Sequence, residues 1–275
     1  AEKGCSAAMQ ILVDAKAQVD VKDGDERTPL HYAAFHGHYK NVQALIDAKA
    51  TVDLRDNENY TPFLYSVENG KPEIVQTLID AKAQITTSDS SGMIPLIMAA
   101  KNGNNAAAQV LIDANAAVDV KDSDGKTPLH HAAESGHGAT AQVLLSGNAD
   151  VDVKDAAGMT PLYAAAIKGQ YDTVQALVDA KATVDIRDSE NMTPLHRACD
   201  NGYSATVRVL VASRADITLE SSSKTTALQL AERNGHLKIA NYLRARLLVA
   251  NFDIARDGNN ETVQRLLSLN GSLEW

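Results

Sequence analysis

The sequence predicts an all-α solenoid of stacked helix pairs joined by β-hairpin loops, and three observations predict it. Glycine recurs every 33 residues at Gly4, Gly37, Gly70, Gly103, Gly136, Gly169, Gly202 and Gly235, so half of the 16 glycines share one phase. Proline keeps the same spacing at Pro29, Pro62, Pro95, Pro128, Pro161 and Pro194, and only Pro72 departs from it. Leucine does so at Leu45, Leu78, Leu111, Leu144, Leu177, Leu210 and Leu243. Three residue types locked to one period of this length mark a repeat array, in which each copy buries its apolar face only against its neighbours.

Each element of the repeat has a local cause, taken here from the stretch 23–56. Thr28-Pro29 opens a first helix: threonine can cap, and proline is tolerated in the first turn because its missing N–H has no helical partner there. Leu30, Ala33 and Ala34 put small apolar groups on one face, and Gly37 ends the helix by supplying a positive φ. A second helix is predicted from about Tyr39 to Ala48, with Val42, Leu45 and Ile46 at i, i+3 and i+4 as its buried stripe. The chain then runs through Ala50-Thr51-Val52-Asp53 into an extended hairpin that ends at Thr61-Pro62.

The same reading along the chain gives one array over 1–275. A partial unit occupies 1–22, seven repeats follow at 23–55, 56–88, 89–121, 122–154, 155–187, 188–220 and 221–248, and an atypical helix pair closes it at 249–275. Residues 1–20 match only the second helix of a unit. At the other end, Asp253 to Gly258 followed by Val263, Leu266 and Leu267 suggests the last pair.

Composition excludes several classes of function. Of 275 residues, 44% are hydrophobic and 22% charged, a globular balance, while only 4% are aromatic, which suits thin layers of small aliphatic side chains. A formal charge of −9 suits phosphate backbones poorly, so no nucleic-acid partner is expected. No run of about 18 apolar residues is present, so no membrane insertion is expected. The two cysteines, Cys5 and Cys199, read as reduced thiols and point to the cytoplasm, with a secreted effector as the other possibility.

Thr28-Pro29-Leu30-His31-Tyr32-Ala33-Ala34 followed by Gly37-His38 resembles the ankyrin repeat signature. So do Thr127-Pro128-Leu129-His130 with Gly136-His137, and Thr193-Pro194-Leu195-His196. The loop-starting aspartate recurs as Asp23, Asp56, Asp89, Asp122, Asp155 and Asp188, and the loop tip as Gly92, Gly125 and Gly158, with Asn59 and Asn191 as positive-φ substitutes. The sequence departs from the signature in that Leu64, Ile97, Tyr163 and Gln229 replace the histidine. The glycine that usually ends the second helix is Lys49, Lys82, Asn115, Asn148, Lys181 or Arg214, a left-handed position costing on the order of 1 kcal/mol without glycine.

The resemblance implies a concave face lined by hairpin tips and first helices, where family members meet partner proteins. Carried over column by column, it nominates Tyr32, Phe35, Tyr60, Tyr65, Met93 and Met98 as an apolar patch, continued by Met159, Ile167, Met192 and Arg197. Tyrosine and methionine in the column before Thr-Pro are expected to be solvent-exposed, and such clusters mark binding surfaces. Packing between adjacent hairpins and first helices is the alternative role. The resemblance also implies that His31, His130 and His196 tie neighbouring repeats through backbone hydrogen bonds, so no metal role is assigned to them. Cys199 stands in a column of small buried residues, so no nucleophile is assigned there.

No GxxxxGK, GxGxxG or GxSxG motif is present, and the carboxylates follow the repeat period without converging on a pocket. The expected function is therefore a non-catalytic protein–protein interaction scaffold, monomeric and without cofactor, with an unidentified protein as its partner. The rival expectation is a positioning segment of a larger enzyme or toxin whose active domain lies elsewhere.

Overall fold

The computed structural model describes residues 5–257, which fall into two compact bodies divided between Thr183 and Val184. In the first body, α1 (Ser6–Asp14) stands alone and five helix pairs follow. They are α2 (Pro29–His36) with α3 (Tyr39–Asp47), α4 (Pro62–Glu68) with α5 (Pro72–Asp80), α6 (Pro95–Asn102) with α7 (Asn105–Asp113), α8 (Pro128–Ser135) with α9 (Gly138–Ser146), and α10 (Pro161–Lys168) with α11 (Tyr171–Asp179). The second body pairs α12 (Pro194–Asp200) with α13 (Ser204–Ala212) and α14 (Ala227–Arg233) with α15 (Leu237–Asp257). First helices stack on first helices, α2 on α4, α4 on α6, α6 on α8 and α8 on α10. Second helices stack likewise from α1 through α11. The second body repeats the pattern with α12 on α14 and α13 on α15.

Every first helix begins where the sequence places it. Thr28, Thr127, Thr193 and Thr226 are extended N-caps in reciprocal capping boxes, in which the third helical residue (His31, His130, His196 or Gln229) reaches back to the cap. Thr61 and Thr160 cap without that return contact, because Leu64 and Tyr163 have replaced the histidine. Ile94 has no side-chain cap at all. Leu30, Ala33, Ala34, Val42 and Leu45 are buried as the period requires, while Ile46 is only half-buried.

The left-handed positions also fall as expected. Lys49, Lys82, Asn115, Asn148, Lys181 and Arg214 all carry φ between 63° and 70°, and Asn59 and Asn191 have φ of 66° and 61°. Two further residues share the loop-tip column, Glu26 at φ 61° and Lys224 at φ 59°.

The loops are less strand-like than expected. Among the described residues they hold one isolated bridge, between Glu220 and Thr226. Six are closed instead by a single aspartate, and the loop at 221–225 by Ser221, whose Oγ accepts the Thr225 N–H at 3.3 Å. In the first loop the Asp23 N–H donates to the Arg27 carbonyl, while Asp23 Oδ1 accepts the N–H groups of Asp25 and Arg27, both at 2.9 Å. The same aspartate clamp is built at Asp56, Asp89, Asp122, Asp155 and Asp188. At the end of the second body α15 runs without a break through the expected boundary at 248/249 to Asp257. The part of the expected last helix pair carried by Gly258, Val263, Leu266 and Leu267, like Gly4 at the other end, lies outside the described residues.

Candidate functional site

The loop aspartates have a second oxygen to spare, and the mid-helix column nine residues later takes it. The Tyr32 hydroxyl donates to Asp23 Oδ2 at 2.6 Å, the Tyr65 hydroxyl to Asp56 Oδ2 at 2.6 Å, and His131 Nε2 lies 2.7 Å from Asp122 Oδ2. In the second body Arg197 pairs with Asp188 and also with Glu190. Met98 and Ala164 fill the same column without a polar end, so the pairing exists only where sequence allows it. The signal that could have revealed it was present: an aspartate and a donor side chain at a fixed nine-residue spacing in four repeats.

Around Asp56 this pairing grows into a cluster. Arg27 Nε donates to Asp56 Oδ2 at 3.2 Å and the guanidinium lies 5.6 Å from the Tyr65 ring centroid. Tyr60 and Phe35 pack on Tyr65 with centroids 4.8 Å and 5.5 Å away, Phe35 edge-on. The Tyr60 hydroxyl donates to Glu68 at 3.2 Å. Burial pushes the Asp56 carboxyl upward, but hydrogen bonds from the Tyr65 hydroxyl, the Tyr60 N–H and Arg27 outweigh it and hold it below the usual carboxylate value. Burial, then hydrogen bonding to Asp56, raises the Tyr65 phenol, so it stays a donor at all physiological pH.

The ten nominated residues separate by exposure. Phe35 is 41% exposed, and Tyr32, Tyr60, Met93, Met159, Ile167 and Arg197 are half-buried. Tyr65 is buried beneath the other aromatics, and Met98 at 1% exposure is a core side chain. Met192, at 8%, is buried rather than exposed as its column predicts. The chain therefore presents an aromatic patch at Tyr32, Phe35 and Tyr60, resting on a fixed floor of Tyr65, Asp56 and Arg27.

Inter-repeat ties run beside this face. His31 Nε2 donates to the Tyr60 carbonyl at 3.2 Å and His130 Nε2 to the Met159 carbonyl at 3.0 Å, as the resemblance implies. His196 Nε2 faces the Thr225 carbonyl in the same way, but too loosely for a hydrogen bond within 3.5 Å. A second set was not read from the sequence. Asp20, Asp53, Asp119 and Asp152 accept the N–H of Thr51, Gln84, Asp150 and Thr183, each 31 residues on. Asp185 does the same for Asp216 in the second body.

No group of three metal-ligating side chains exists among the described residues. Burial pushes the Cys199 thiol up to about 12, far from the thiolate a nucleophile needs. No helix among the described residues is long and apolar enough to cross a membrane.

The fold and its tied loops define an array of stacked helix-pair repeats. A family model described as ankyrin repeats (3 copies) matches residues 1–89, 82–155 and 139–221, and the chain belongs to the ankyrin repeat family. Among solved structures it is similar to the ankyrin repeat domain of Bcl-3, described as a unique member of the IkappaB protein family. There the identity is 28% and the TM-score 0.68, over 81% of this chain and 100% of that one. It is similar to the human ASB11 ankyrin repeat domain at 25% identity and TM-score 0.68, over 78% of this chain and 98% of that one. No curated protein matches the sequence. Ankyrin repeats are in general protein–protein interaction modules, and typically non-catalytic ones.

Proposed function

We propose that the chain is a non-catalytic scaffold that holds a partner protein on the concave face implied by its family. Contact would centre on Tyr32, Phe35 and Tyr60 and extend to Met93, Met159 and Ile167. The observation that supports this is the fixed aromatic cluster. Phe35 is 41% exposed, yet its ring is set edge-on against Tyr65, which Asp56 and Arg27 hold in place. Aromatics already frozen in the free protein lose little entropy on docking, and rings of this kind dominate the energetics of protein interfaces. Buried Tyr65 and Met98 support the face from below.

The test is capture from a matched lysate by the intact chain and by a Tyr32→Ala/Phe35→Asp double variant, with thermal unfolding of both. A protein retained by the first and released by the second, at equal melting temperature, supports the reading. Identical capture by both would sink it.

A further inference from the structure

The aromatic patch holds a pocket of about 70 Å³. Arg27, His31, Tyr32, Phe35 and His36 of the repeat at 23–55 wall it, and Tyr65 of the repeat at 56–88 is its floor. It therefore lies on the side of α2 that packs against α4, between two complete repeats. Ring contacts fix its shape. Phe35 stands edge-on to Tyr65 at 5.5 Å and edge-on to His36 at 4.9 Å, His36 is stacked on His38 at 5.7 Å, and His31 is edge-on to Tyr65 at 6.1 Å.

The polar atoms of these walls are spent on other partners. The Tyr32 hydroxyl donates to Asp23 and the Tyr65 hydroxyl to Asp56. Both ring nitrogens of His31 are taken, Nδ1 by the Thr28 N–H and Nε2 by the Tyr60 carbonyl. Among the described residues Arg27 is the one permanently charged wall, and no carboxylate lines the pocket. A cation entering it would meet the Arg27 guanidinium with nothing to receive its charge. An anion would find that guanidinium already held by Asp56 at 3.2 Å, with Asp25 and Glu58 each 3.9 Å away. A charged group thus loses its water without gaining a partner, and apolar contact is what the pocket rewards.

Size narrows the choice. A water takes about 30 Å³ of liquid and a methyl or methylene group is of similar bulk, so the pocket holds two or three carbons. That is the isopropyl end of a leucine or valine. An aromatic ring is too large. An alanine methyl leaves most of the wall without a contact, which forfeits the dispersion attraction there.

We propose that the pocket between Phe35 and Tyr65 anchors a partner polypeptide by one branched aliphatic side chain, a leucine or valine. This rests on the reading that the aromatic patch meets a partner protein.

The probe is a random peptide library panned on the intact chain, with every clone discarded that a Tyr32→Ala/Phe35→Asp chain also retains. The expected result is a set of patch-dependent peptides that share a leucine or valine at one position. Replacing that residue with alanine should weaken binding at least about tenfold, because two or three buried carbons are lost. Tryptophan or arginine there should weaken it as much. These substitutions are read on the unaltered chain, so they decide even where a variant disturbs the fold. Phe35→Leu shortens one wall, and on that chain the peptide with phenylalanine at the anchor should bind better than the parent peptide, an exchange that a purely structural Phe35 would not give. An unchanged order of preference, or patch-dependent peptides anchored by an aromatic, a cation or an acid, overturns the proposal and leaves the patch reading standing. No patch-dependent peptide at all overturns the patch reading, and the proposal with it.

Discussion

His130 Nε2 donates to the carbonyl oxygen of Met159 across 3.0 Å, so a side chain of one repeat is fastened to the backbone of the next. The ring can do this only in one neutral tautomer. Its Nδ1 faces the Thr127 N–H at 3.2 Å and must accept, which leaves the proton on Nε2. His31 is held in the same way between the Thr28 N–H and the Tyr60 carbonyl. A second proton would have to enter at Nδ1, against a donor and out of water.

Burial accordingly lowers the pKa of His31, His130 and His196. In the unfolded chain each titrates near 6.5, so below that value the unfolded state binds more protons than the folded one. Stability is thus complete above neutrality and falls as pH drops through about 6.5 toward the depressed folded values. The slope is at most about 1.4 kcal/mol per pH unit for each ring. Asp23, Asp56 and Asp122, whose folded values lie below 3.8, contribute a loss only at far lower pH. Melting temperature measured from pH 8 to 5 should decline, and the decline should be shallower in His130→Gln. A flat profile over that range would contradict the tautomer assignment.

Tyr65→Phe removes one hydroxyl and leaves the ring. Asp56 then keeps Arg27 and two backbone donors but loses its shortest contact, at 2.6 Å. A buried carboxylate deprived of one donor costs about 1–3 kcal/mol. Chemical denaturation should show a loss of that size, and NMR titration should show the Asp56 carboxyl moving upward. A neutral substitution would mean that Arg27 and the loop amides already satisfy Asp56.

Most of the architecture was legible because the repeat makes the same statement seven times. Thr28-Pro29, Gly37 and Leu45 each have a local physical meaning, and the 33-residue period turns weak local signals into a strong one. The positive φ of Lys49 was readable for the same reason: the column demanded it whichever residue was present. Exposure was less legible. Met93 and Met192 share a column, but Met93 is half-buried and Met192 buried, because each packs on the particular side chains of its own neighbourhood. The link from Asp23 to Tyr32 joins two columns that look independent until the loop is folded back on its helix.

Three second helices carry an unpartnered hydroxyl in one column. Thr140, Thr173 and Thr206 are buried with Oγ1 free of any hydrogen bond, while Ile74, Ala107 and Ile239 fill the same column with apolar groups. Threonine and valine have nearly the same shape, and a buried hydroxyl without a partner is a net penalty. Thr173→Val should therefore raise stability by up to about 1 kcal/mol, read from urea denaturation midpoints. A loss would show that the hydroxyl has an acceptor in solution.

Lys181 sits at φ 70° directly after α11, where a side chain is strained. Lys181→Gly relieves that strain, worth about 1 kcal/mol, and gives back part of it through the greater freedom of glycine in the unfolded chain. The expected outcome is a small rise in melting temperature. A fall would mean that the lysine charge at the helix C-terminus is worth more than the strain it brings.

Gly125 and Gly158 occupy the same loop position in successive repeats, at φ 73° and 78°. Their surroundings differ. A Cβ on Gly158 would meet nothing within 4 Å, whereas one on Gly125 would stand 2.8 Å from the Ala156 backbone nitrogen. Ala156 donates there to the Asp124 carbonyl at 2.9 Å, so the contact is with a rigid inter-repeat tie and not with a flexible side chain. Gly158→Ala should cost only the left-handed penalty, about 1–2 kcal/mol. Gly125→Ala bears the same penalty and must also push two loops apart, so its melting temperature should be the lower of the two. Equal losses would show that the loops move apart without resistance, and that the ties between repeats are carried by His130 and the Asp119–Asp150 contact instead.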